Sequence, residues 1–66
     1  MSSYDPIIER LAAIEEELRD VAYERLRAAI GEHDPDAADA LAREEKRVLQ
    51  ARRAIAKAIG ALEAAG

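Results

Sequence analysis

Apolar residues fall along this chain in two long helical registers separated by one break. In the second half Leu41, Val48, Ile55 and Leu62 recur every seven residues, and Ala51, Ala58 and Ala65 keep the same interval three positions behind. Such a repeat draws an apolar seam along an α-helix, a column of large side chains beside a column of small ones. In the first half Ile7, Leu11, Ile14, Leu18, Val21 or Ala22, Leu26 or Arg25, and Ala29 follow in steps of three and four. Ile8, Ala12, Tyr23, Leu26 and Ile30 lie to one side of that line and widen the apolar arc at both ends; Glu16 and Arg19 close its middle. The pattern predicts an all-α chain with helices over about 6–30 and about 35–64.

The punctuation agrees. Asp5-Pro6 and Asp34-Pro35 are both helix openings, an aspartate to accept from unpaired amides and a proline with no amide to leave unsatisfied. Ser2 and Ser3 are expected in a loose terminus. Gly31 is the expected end of the first helix, where a left-handed residue closes the last turn. Gly60 falls inside the second helix, where glycine costs about 1 kcal/mol relative to alanine and favours fraying. The halves also match at an offset of 29, Ala22 with Ala51 and Ala29-Ile30-Gly31 with Ala58-Ile59-Gly60. A duplicated helical unit leaves that pattern, and so does chance in a composition rich in Ala and Glu.

Two long helices with a short connector fold back as an antiparallel hairpin, a single domain over 1–66. With the turn near His33, facing residue numbers sum to about 66, which sets Leu18 beside Val48 and Leu11 beside Ile55. Arg25–Glu45 and Glu15–Arg52 are the expected ion pairs across the seam. A lone hairpin leaves half of each apolar stripe wet, so the expected assembly is a homodimer forming a four-helix bundle. Ile8, Leu26, Ile30, Leu49 and Ile59 are the expected self-association residues. Leu49 lies off the main seam, exposed in a hairpin and buried in a dimer.

Composition narrows the chemistry. Charged residues make up 36% of the chain and cysteine is absent, which excludes disulfides, thiolate metal sites and a cysteine nucleophile. The first five residues have neither the basic start nor the apolar core of a signal peptide, and no apolar run approaches the length of a bilayer span, so a cytoplasmic protein is expected. His33 stands alone in the connector between Glu32 and Asp34, without the second and third groups that a zinc site or a catalytic triad needs. Glu15, Glu16, Glu44 and Glu45 are on helices, but the Glu-x-x-His spacing of bundle metal centres is missing, because Ile30 stands three residues before His33. No enzyme, metal or cofactor is therefore expected.

Net charge is −4, but residues 5–27 carry seven acids and four bases, whereas from Arg43 onward there are six bases and three acids. The basic stripe, with Arg43, Arg47, Arg53 and Lys57, is a candidate nucleic-acid contact, weakened by the absence of interleaved aromatics. The favoured expectation is a small helical adaptor or regulatory protein working through protein–protein contacts. A nucleic-acid-binding dimer is the alternative.

Overall fold

The computed structural model describes residues 3–66, and they form two helices, α1 (Asp5–Gly31) and α2 (Pro35–Ala65), joined by Glu32, His33 and Asp34. Ser2, expected in a loose terminus, lies outside the described residues; Ser3 is in an exposed turn. The helices lie side by side as an antiparallel hairpin, tied by ion pairs from Arg52 to Glu15 and from Arg25 to Glu44. Those pairs sum to 67 and 69, slightly beyond the expected register. No helix among the described residues is long and apolar enough to cross a membrane.

The helix ends differ from one another. Asp34 caps α2 as expected: its carboxylate accepts from the Asp36 N–H at 3.1 Å, and its carbonyl accepts from the Ala38 N–H at 2.9 Å. Asp5 does not cap α1. Tyr4 has near-helical dihedrals (φ −92°, ψ −3°), so the helix starts one residue earlier and Asp5 is already in its first turn. There its charge complements the exposed amides without a side-chain cap bond.

Gly31 is the last helical residue, and it does not take the left-handed conformation expected of it. The chain leaves α1 by extending at Glu32 (φ −82°, ψ 130°), whose N–H donates to the Ala29 carbonyl at 3.4 Å. The Glu32 carboxylate then accepts from the Asp34 N–H at 3.1 Å, which links the end of one helix to the cap of the next. Gly60 leaves α2 unbroken as far as Ala65.

The seam runs through Ile8, Leu11, Glu15, Leu18, Ala22, Arg25 and Ala29 of α1. From α2 it takes Ala38, Leu41, Glu45, Val48, Arg52, Ile55, Ile59 and Leu62. Both series keep alternating steps of three and four, the spacing of a coiled-coil stripe. The column Leu41, Val48, Ile55, Leu62 is where the sequence placed it; its companion is not. Ala38, Glu45, Arg52 and Ile59 fill the second column, while Ala51 and Ala65 are exposed and Ala58 is half-buried. α2 is thus rotated toward Leu49, which is half-buried in the hairpin and not exposed as expected. In α1, Ile8 and Glu15 face α2, and Ile7 and Ile14 stand beside the seam, 40% and 41% exposed. The halves' match at 29 does not extend to packing either, since Ala22 is buried and Ala51 exposed.

Among the described residues Ala22 alone is buried, at 4% exposure. It sits in mid-hairpin, where a methyl side chain lets the helix axes come close. The chain measures 51 × 14 × 10 Å, with a radius of gyration of 15.2 Å. A compact domain of this length has a radius near about 11 Å.

Candidate interaction surfaces

The two ion pairs across the seam mark its two edges. Arg52 Nε lies 3.9 Å from Glu15 Oε2 on one edge, and Arg25 Nε lies 3.4 Å from Glu44 Oε2 on the other. Arg25 takes Glu44 because both stand on the same edge; Glu45, its expected partner, is half-buried within the seam. In an antiparallel pair each edge borders one side face made from both helices, so the hairpin has two such faces of different character.

Beyond the Arg25–Glu44 edge α1 contributes Ile7, Ile14 and Val21, spaced by seven. α2 contributes alanines: Ala51 and Ala58 in the column nearest the seam, Ala54 and Ala61 one column further out. In the columns nearest the seam Glu44 is the charge, and it is paired; one column further out lie Arg47 of α2 and Arg10, Glu17 and Glu24 of α1. Beyond the Glu15–Arg52 edge the flanking columns carry Asp5, Arg19 and Glu63 among apolar residues. Apolar exposure there gathers at the turn end, with Leu26 44%, Tyr23 62% and Ile30 78% exposed. Arg27 lies over the Tyr23 ring, 6.0 Å from its centroid, an exposed cation–π contact.

Of the five expected self-association residues, Ile8, Leu49 and Ile59 are half-buried within the hairpin, and Leu26 and Ile30 remain exposed. Ile7 and Ile14 were missed as surface residues, because the stepping pattern fits a seam through them as well as one through Ile8 and Glu15.

The outer face of α2 carries Arg43, Arg47, Arg53 and Lys57, all exposed and without an ion-pair partner among the described residues. On α1 Arg19 pairs with its neighbour Asp20 at 3.6 Å. His33 is exposed in the connector, and no group of three or more His, Asp or Glu among the described residues is arranged to hold a metal ion. The chain matches no protein-family model, no curated protein and no solved structure.

Proposed function

We propose that this chain is a small non-enzymatic helical adaptor of the cytoplasm that works as a homodimeric four-helix bundle. The observation that carries the reading is surface area. The hairpin exposes 5094 Å², whereas a compact monomer of 7.2 kDa exposes about 4,100 Å². The excess is about 1,000 Å² per chain, so a pair has about 2,000 Å² to hide, the upper end of a standard protein–protein interface. A bundle is the arrangement in which two amphipathic hairpins cover such stripes. Its remaining apolar patches and its charged outer faces are then available to a protein partner, and the turn-end group Tyr23, Leu26 and Ile30 suits the apolar side of a partner helix.

Analytical ultracentrifugation at micromolar concentration tests the assembly. Twice the chain mass is expected. A helical species of single mass overturns the reading.

One observation supports nucleic-acid binding as a second reading: the four cations of the α2 outer face have no ion-pair partner among the described residues. Arg43, Arg53 and Lys57 of that face point away from a bundle interior. Titration of labelled RNA and DNA at low and moderate salt separates the readings. Binding that falls steeply with salt and is lost in an Arg43→Ala/Arg47→Ala/Arg53→Ala variant supports nucleic acid. No shift at low salt eliminates it.

A further inference from the structure

The dimer reading leaves open which face of the hairpin is covered and in what orientation. Resting on that reading, we infer that the second copy docks on the face of Ile7, Ile14, Ala51, Ala54, Ala58 and Ala61, with the two-fold axis parallel to the length of the hairpin.

The two side faces are not equal candidates. In the columns nearest the seam the Ile7–Ile14 side carries no charge over its distal half, Arg10 and Glu17 standing one column further out, whereas Arg19 and Glu63 interrupt those columns on the opposite side. Two-fold contact needs a surface that complements itself. On the Ile7–Ile14 side large residues come from α1 and small ones from α2, so a copy turned about the long axis lays its α1 over the alanines of α2, and the reverse.

The hairpin's own register makes the fit specific. Ion pairs summing to 67 and 69 set Ile14 level with about residues 53 to 55 and Ile7 level with about residues 60 to 62. Rotation about the long axis preserves level. The partner subunit's Ile14 therefore arrives at Ala54, against the methyl groups of Ala51, Ala54 and Ala58, and the partner subunit's Ile7 at Ala61, against those of Ala58 and Ala61. In each case a bulky knob meets methyl groups one helical turn apart, the geometry of close helix packing. Rotation about the short in-plane axis instead stacks isoleucine on the partner's α1 and alanine on alanine, which separates one helix pair and leaves the other thinly packed.

Charge agrees at the rim. Arg47 is exposed, has no ion-pair partner among the described residues and is level with about residues 20 to 22 of α1. In the same arrangement it lies between the partner subunit's Glu17 and the partner subunit's Glu24, residues that are exposed and without ion pairs among the described residues of the hairpin. Two-fold symmetry repeats this, and the basic half of each chain meets the acidic half of the other.

The experiment combines sedimentation with disulfide trapping in this cysteine-free chain. Ile14→Glu is expected to raise the dimer dissociation constant at least about 100-fold, because two isoleucines leave the interface per dimer. Leu26→Glu, on the opposite side, is expected to leave it unchanged. In a mixture of Ile14→Cys and Ala54→Cys chains, one of them tagged, oxidation is expected to give the mixed disulfide. If Ile14→Glu loses helicity on circular dichroism, the disulfide decides. A wild-type dimer that survives Ile14→Glu, or that gives no mixed disulfide, overturns the docking face and leaves the dimer standing. A single-mass wild-type species overturns the dimer itself.

Discussion

Arg52 reaches across the seam to Glu15, yet its Nε stops 3.9 Å from the carboxylate oxygen, is itself buried and makes no hydrogen bond. The two side chains are 39% and 28% exposed and occupy positions that an uninterrupted coiled coil gives to apolar residues. A pair this exposed gains little from its charges in water. It fixes register, because sliding the helices by one turn would strand both charges among Leu11, Leu18, Val48 and Ile55.

It follows that the pair contributes alignment more than stability. A double-mutant cycle between Glu15→Ala and Arg52→Ala is expected to give a coupling below about 1 kcal/mol, falling further in high salt. Glu15→Leu combined with Arg52→Leu is expected to raise unfolding stability by about 1 kcal/mol or more, because half-desolvated charges give way to packed methyls. Denaturant unfolding monitored by circular dichroism measures both.

The two aspartates that open the helices are expected to differ under the same substitution. Asp34→Ala removes a side-chain bond to the Asp36 amide and is expected to cost about 1 kcal/mol. Asp5→Ala removes a charge near the helix start but no cap bond, and its expected cost is about 0.3–1 kcal/mol, shrinking with added salt. Melting curves at two ionic strengths distinguish them.

Gly31 and Gly60 both lie in helix, without positive φ, and a methyl group built on either meets nothing within 4 Å. Gly31→Ala and Gly60→Ala are each expected to stabilise the hairpin by about 0.5–1 kcal/mol. A loss of stability in Gly31→Ala would mean that the turn needs the freedom of glycine after all.

Ala22 is the point of closest burial, so enlarging it is expected to do the most harm. Ala22→Leu adds bulk where the helices leave none and is expected to destabilise by about 1–3 kcal/mol. Ala13→Leu, with its side chain in solvent on the outer side of α1, is expected to leave stability nearly unchanged. Thermal melts of the two variants make the comparison.

What the sequence disclosed depended on how distinct each residue was from its neighbours. Leu41, Val48, Ile55 and Leu62 were legible because their column has no equally bulky rival beside it. Ile7 and Ile14 were not, since Ile8 and Leu11 allow a second stripe one residue over, and helical periodicity alone does not choose between adjacent stripes. The choice comes from the other helix, through Glu15–Arg52 and Arg25–Glu44. Glu15–Arg52 was readable in advance because opposite charges at matching distances from the turn point to one another. The rotation of α2 toward Leu49 was not, because alanine packs as readily inside as out. Gly31 misled for a different reason: glycine permits a left-handed ending but does not compel one, and Glu32 supplied another exit.

The connector of Glu32, His33 and Asp34 gives the rod a polarity. Ser3 and Gly66 emerge at one pole, some 51 Å of molecule away from the bend. Anything tethered to either end, a fluorophore or a neighbouring domain, leaves from that same pole, so the bend is the tip that reaches outward.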